Sequence, residues 1–154
     1  MQVEVEGRFL IVRAQSWTCA LPLSEVAETM RPLPVSPTTG VPAFVRGVSV
    51  IRGEPTPVIS LAVLLGGTSP GETRRFILLR VPGRRLALEV EEVLGVRALA
   101  PEQLETVPPL MEASAAGQLE VLGTLDGQLL AALRTARLLP EALWASLTAQ
   151  GEAA

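Results

Sequence analysis

The 154-residue chain contains no His, no Lys, no Tyr and no Asn, and its one Asp is Asp126. These absences remove the usual general base, the Schiff-base amine, the phosphate-binding lysine and the imidazole metal ligands. Only Glu, Arg, Ser, Thr and Cys19 are left for chemistry. A single cysteine makes no internal disulfide, so the fold does not rest on an oxidising compartment. Neither Gly-x-x-x-x-Gly-Lys nor Gly-x-Gly-x-x-Gly occurs, which argues against a nucleotide. Aromatics are 3% of residues, and the nearest basic runs are Arg74-Arg75 and Arg84-Arg85. A nucleic-acid partner calls for a basic stripe or a stacking platform, and the sequence offers neither. No apolar run approaches the roughly 18–20 residues of a membrane helix. The acidic, alternating stretch from Gln2 to Glu6 has no basic n-region and no apolar h-region of a leader. The composition therefore reads as a soluble cytoplasmic binding protein, with no catalytic residue, no metal and no cofactor expected.

What is present is apolar and heavily punctuated. Hydrophobic residues make up 48% and charged residues 19%, with formal net charge −3, so a sizeable core is expected and disorder is not. Thirteen Gly and thirteen Pro divide the chain into short apolar runs, which favours many strands over long helices. Arg8 to Arg13 and Thr18 to Leu23 read as strands on either side of Gln15-Ser16-Trp17. Gly47 to Ile51 and Thr56 to Ile59 flank Arg52-Gly53-Glu54-Pro55, where Gly53 can take positive φ. Phe76 to Leu79 and Leu86 to Val90 flank Pro82-Gly83. Leu122 to Leu125 and Gln128 to Leu133 flank Asp126-Gly127, a strong hairpin signal.

The chain also repeats itself. Arg8-Phe9-Leu10-Ile11-Val12-Arg13 recurs 67 residues later as Arg75-Phe76-Ile77-Leu78-Leu79-Arg80. At the same offset Cys19-Ala20-Leu21 falls on Leu86-Ala87-Leu88, and Glu25-Val26 on Glu92-Val93. Several matches in one order predict two related subdomains, each a small closed barrel that removes exposed strand edges. Helices are expected to be short. Ser60 is an N-cap before Leu61 to Leu65, with Gly66 as the C′ glycine. Pro140 opens a C-terminal helix over residues 140–150, with Leu139, Leu143 and Leu147 on one stripe and Trp144 widening it. Residues 1–7 and 151–154 are expected to fray, and Glu112 to Leu119 reads as a loop.

The segment Gly47-Val48-Ser49-Val50-Ile51-Arg52-Gly53, continued by Pro57-Val58-Ile59-Ser60-Leu61, resembles the central signature of the CheW family. That signature is close to Gly-Val-Ile-Asn-Leu-Arg-Gly, three residues, then Pro-Val-x-Asp-Leu. Leu21 to Glu28 is similar to the family's Leu-Pro-Ile-x-x-Val-x-Glu-Ile segment. Val41 to Gly47 resembles Val-Pro-x-Phe-x-x-Gly, and Val90-Glu91-Glu92-Val93 stands where the family has Val-Asp-x-Val. The resemblance implies a mainly β fold of two pseudo-symmetric, intertwined five-stranded barrels over residues 8–139. The signature 47–61 is assigned to the first, and 75–93 with 122–133 to the second. It implies a non-catalytic adaptor recruited to receptor clusters, which joins the cytoplasmic tip of a methyl-accepting chemoreceptor to a CheA-type histidine kinase. Val26, Glu28, Gly47, Arg52, Gly53 and Pro57 are the partner-binding residues that it points to. Within that set Arg52 and Glu28 dock the receptor and pair with each other, while Gly47 and Gly53 serve backbone geometry.

Four positions depart from the pattern. Val50 replaces Asn, removing a buried or edge hydrogen-bonding side chain, and Ser60 replaces Asp, a mild change if it caps the helix. Glu91 replaces Asp, and Arg134 stands near a second Asp of the family. These departures define an alternative, a receptor-binding accessory protein with lost or weakened kinase docking, as in a gliding-motility pathway. A third reading, a small-barrel enzyme, would use Glu89 with Glu91 or Glu102 with Glu105 as paired carboxylates. The strand pattern places Glu89 and Glu91 on a solvated face, and Glu102 and Glu105 follow Pro101 at the spacing of a helical turn. Cys19 reads as a small buried hydrophobe, and Trp17, in the first hairpin turn, is read either as exposed or as packed. Val26 reads as an apolar residue of a short helix.

Overall fold

The computed structural model describes residues 7–15, 17–68, 75–81, 83–99, 104–106, 119–125, 128–133 and 144. The described strands are β1 (Arg8–Ala14), β2 (Trp17–Pro22), β3 (Val26–Met30), β4 (Val45–Ile51), β5 (Glu54–Ser60), β6 (Arg75–Val81), β7 (Arg84–Val90), β8 (Glu92–Ala98), β9 (Leu104–Thr106), β10 (Leu119–Leu125) and β11 (Gln128–Leu133). One helical turn, α1 (Leu61–Leu64), follows β5, and a 3-10 turn spans Leu23–Glu25. The expected helix over 140–150, apart from Trp144, and the loop expected before Leu119 lie outside the described residues, as do Asp126, Gly127 and Arg134. So do residues 1–6 and 151–154.

The strands form two sheets, in the orders β8-β1-β2-β11-β10-β9 and β3-β6-β7-β5-β4. Exchanging β1 with β6, β2 with β7, β3 with β8, β4 with β10 and β5 with β11 converts one order into the other. The exception is β9, an extra edge strand that makes six where five were expected. It covers Leu104–Thr106, so the helical turn expected at Glu102 and Glu105 is a strand at its second residue. Pairing with β10, Glu105 opposite Leu122, overrides the local spacing.

The sheets do not follow the halves of the sequence. Residues 75–90, assigned to the second barrel, build β6 and β7 and pair with β3 and β5 of the first. Each sheet is centred on a parallel pair, β2 with β11 and β5 with β7. A parallel pair needs a crossover between its strands. For β5 and β7 that crossover carries α1 and β6. Ser60 caps α1 as expected, its Oγ accepting from the Val63 amide at 3.2 Å.

Burial on both faces explains the near-continuous apolar runs. Ile77, Leu79, Leu86, Leu88 and Val90 meet Leu10, Val12, Cys19 and Leu21 in the core between the sheets. Phe76, Leu78 and Ala87, alternating with them, join Ile51 and Val58 in a second core on the other side of the same sheet. Trp144 is buried against the first core, with the Arg84 guanidinium 4.8 Å from its ring centroid. Trp17 opens β2 and is packed there too, which settles the alternative left by the sequence.

Candidate functional site

The β4–β5 connection is tighter than the four-residue loop read from the sequence. Ile51 pairs directly with Glu54, leaving a two-residue turn of Arg52 and Gly53. Both have positive φ, 54° and 79°. Such turns match the strand twist and favour Asn-Gly or Gly-Gly. For an arginine, the left-handed region costs roughly 1–2 kcal/mol. The side chain kept there is engaged at its far end. Arg52 Nη2 donates to Glu28 Oε2 at 2.7 Å and to Oε1 at 3.1 Å, and Nε donates to Oε2 at 3.1 Å.

Glu28 is brought into reach by β3. A bulge between Val26 and Glu28 breaks the pairing with β6 and leaves Ala27 unpaired. Val26 is half-buried at the start of this strand and packs on the inter-sheet core, so the helix expected at this residue is a strand preceded by the 3-10 turn. A second arginine braces the turn. Arg85, on β7, donates from Nη1 to Glu54 Oε1 at 2.6 Å and from Nη2 to the Ile51 carbonyl at 2.8 Å, gripping both residues that flank Arg52 and Gly53. Between hairpin, bulge and β6 lies a cavity of about 260 Å³. Ala27, Leu78 and Leu79 border it, and Glu28, Arg52, Arg80 and Arg85 give it charge.

Gly47 and Pro57 act one layer deeper. Both are buried. Gly47 has φ 142°, and a Cβ there would stand 2.0 Å from the Ser36 carbonyl oxygen. That approach lets Ser36, on the chain continuing from β3, pair with Val48 on the outer edge of β4. Ser49 Oγ donates to the Pro34 carbonyl at 2.7 Å alongside. The edges β3 and β4 of the five-stranded sheet are thus stitched together. Proline suits a strand edge or start, yet Pro57 stands in β5, an interior strand of the sheet. The ladder with β7 begins only at Val58, so the missing amide of Pro57 costs that ladder nothing. Of the six residues singled out in the sequence, Glu28, Arg52 and Gly53 therefore meet at the surface. Val26 lies at the other side of the bulge, and Gly47 and Pro57 shape β4 and β5 from within.

Two neighbouring residues bear on the other readings. Val50 is 66% exposed on the edge strand β4, so of the buried or edge position read for the family's Asn it is the edge one. Glu89 is not solvated: it is 5% exposed and accepts from Arg46 Nη1 at 2.6 Å. Its β7 position faces the second core, because this strand is buried on both sides. Glu91 is tied to Arg13 at 3.0 Å, and Glu92 to the same guanidinium at 2.6 Å. The Glu92 hydrogen bond raises the Arg13 pKa further. Glu89 and Glu91 are therefore structural ion pairs. Glu102 and the Glu105 side chain lie outside the described residues. Among the described residues, no three His, Cys, Asp or Glu converge as metal ligands.

Sequence reading missed Leu94 and Val96, which stand 49% and 46% exposed on the edge strand β8. The signal was the run Val93 to Val96, where apolar residues occupy both faces of a strand instead of alternating. The Arg85 clamp was missed because it depends on long-range pairing of β7 with β5.

A structure comparison places this architecture beside the scaffolding protein TtCheW from Thermoanaerobacter tengcongensis, with a TM-score of 0.74. The two are 20% identical, and the match covers 84% of this chain and 89% of that one. At that identity the likeness speaks for the fold. No match is found among curated proteins. The model of the CheW-like domain matches residues 8–143, which takes in both sheets and every residue of the site. With the fold and the signature hairpin in agreement, the chain belongs to the CheW-like domain family.

Proposed function

We propose that this protein is a non-catalytic adaptor that docks on the cytoplasmic tip of a chemoreceptor and links it to a CheA-type histidine kinase. The observation that carries the reading is Arg52. It is kept in a strained turn conformation, 71% exposed, braced from behind and aimed by Glu28 at the rim of a cavity. A surface ion pair alone contributes about 0–1 kcal/mol, less than the turn conformation costs. Backbone strain held by its surroundings is a feature of binding sites, and a planar guanidinium suits interface recognition. Leu94 and Val96 add an exposed apolar strip of the kind a helical partner covers.

The partner contacts are assigned to Val26, Glu28, Arg52 and Gly53, with Gly47 and Pro57 holding their geometry. No metal, cofactor, nucleic acid or membrane insertion enters this role, and among the described residues no helix is long and apolar enough to cross a membrane. The role places the protein in the cytoplasm at receptor clusters. The accessory reading, with kinase docking lost, draws nothing from Ser60, which still caps α1; the departure that favours it is Val50, an exposed apolar residue where the family has an amide.

Calorimetric titration of the protein against receptor-tip fragments and CheA-type kinases of the same genome, taken separately, tests the proposal. Binding to both supports coupling, and binding to receptor alone selects the accessory role. Binding to neither refutes both. Arg52→Asp is expected to weaken receptor binding with folding intact, by up to a few kcal/mol if the contact is desolvated.

A further inference from the structure

We infer that the cavity beside the β4–β5 hairpin receives an acidic side chain of the docking partner, and that Arg80 is the residue that selects it. The inference rests on the docking role above and adds the chemistry of what enters the cavity. Arg80 stands on β6 directly across from Arg85 on β7. Like charges in a cross-strand pair repel each other. The fold relieves only one of them: Arg85 is held by Glu54 and by the Ile51 carbonyl. Arg52 is engaged by Glu28. Arg80 is exposed, lines the same cavity, and has no carboxylate partner among the described residues.

Charge counting gives the ligand its sign. Three guanidiniums and one carboxylate line the cavity, and Glu54, outside the lining, compensates Arg85. Among the described residues one positive charge is left, at Arg80. Ala27 and Leu78 beside it reduce screening, so a carboxylate placed there meets a stronger field than at an open surface. The planar fork of arginine suits a carboxylate in two-point contact. Size narrows the choice further. About 260 Å³ falls below the roughly 300–1,000 Å³ of small-molecule pockets, and fits one side chain better than a nucleotide.

The test uses the full chain and a soluble helical-hairpin fragment of the receptor tip, titrated at low and at physiological salt. Arg80→Glu is expected to weaken binding by about tenfold or more, and Arg80→Lys by less, about threefold, since it keeps the charge but loses the two-point contact. Arg80→Gln should bind more weakly and with a shallower salt dependence. None of the three should lower the melting temperature, because the side chain is exposed, and Arg80→Gln and Arg80→Glu should raise it slightly by relieving the repulsion with Arg85. Reversal of one acidic residue in the fragment should restore affinity for Arg80→Glu. If Arg80→Glu binds like the original while Arg52→Asp does not, the inference is wrong and the docking role stands. If the unsubstituted protein binds no receptor fragment, both fall together. If millimolar inorganic phosphate displaces the fragment through Arg80, the cavity is a small-anion site and the inference is overturned.

Discussion

Cys19 offers a test of the core that the composition of this chain makes unusually clean. The thiol has no exposure and faces the core between the sheets. Burial among apolar side chains disfavours the thiolate and pushes the pKa from 9.0 up to about 12. With Lys and Tyr absent from the sequence, Cys19 is the one side chain that titrates between about pH 9 and pH 12. In that window the folded protein holds a proton that the unfolded chain releases. Stability is therefore full below about pH 9 and falls as pH rises toward about 12. Three decades of proton affinity, at about 1.4 kcal/mol each, set an upper bound of about 4 kcal/mol. That is a large share of a stability of about 5–15 kcal/mol.

Urea unfolding at pH 8, 9, 10 and 11 measures the effect, with tryptophan fluorescence as the probe, since Trp17 and Trp144 both pack on this core. Cys19→Ala is expected to begin about 1–2 kcal/mol less stable at pH 8, from the lost volume. Its profile should then stay flat, while the original loses about 1.4 kcal/mol per pH unit above pH 9. The two curves should cross near pH 10. Every other titrating group is common to both proteins and cancels. Parallel profiles between pH 9 and pH 11 would refute the assignment, as would rapid thiol labelling of the folded protein at pH 8.

Arg46→Met should destabilise the fold by about 3 kcal/mol in urea, because it strands the buried Glu89 carboxylate, whereas Arg46→Met with Glu89→Leu should recover most of that loss. Equal stability of the single and double variants would show that the pair is not buried as described. Gly47→Ala should abolish folding or lower the melting temperature by ten degrees or so, since its Cβ would meet the Ser36 carbonyl, but Gly53→Ala, with open space around it, should cost only about 1 kcal/mol. Arg52→Gly should leave the melting temperature unchanged or slightly raised while receptor affinity drops; a clear loss of stability would mean that the Glu28 pair outweighs the turn strain.

Local chemistry was legible in the sequence wherever it was sufficient. The Ser60 cap follows from residue types at short spacing and the repeat of β1–β2 in β6–β7 from matching runs 67 residues apart, and the structure has both in those places, whereas the β4–β5 turn is two residues shorter than read. The Glu28–Arg52 pair was legible only through the family resemblance, since 24 residues separate the partners and no spacing rule joins them. Glu89 misled because alternation along β7 assumes one wet face. Strands buried on both sides carry no such alternation, and the only clue was the unbroken apolar character of Phe76 to Leu79 and Leu86 to Leu88. Ala27 shows the same limit from another side: a bulge is a property of two strands, and one strand's sequence does not display it.

The exchange of hairpins between the sheets has a consequence for how the site is held. Glu28 and Arg52 come from the first sequence half, and Arg80 and Arg85 from the second, yet all four border one cavity. They meet because β7 lies between β6 and β5, so that the hairpin tip leans on a strand of the other half. Without β6 and β7, β5 and β4 would be an isolated hairpin, which is marginal in water, and the Arg85 grip on Ile51 and Glu54 would be gone. The first half carries the signature residues, but the second half gives them their conformation. Loss of the proposed receptor binding on weakening the β5–β7 ladder, for example by Ala87→Pro, would therefore report on the turn as well as on the sheet. The diagnostic is the Arg52 side-chain Nε–H resonance: it should move when Arg85 is replaced by Gln, even where the melting temperature holds.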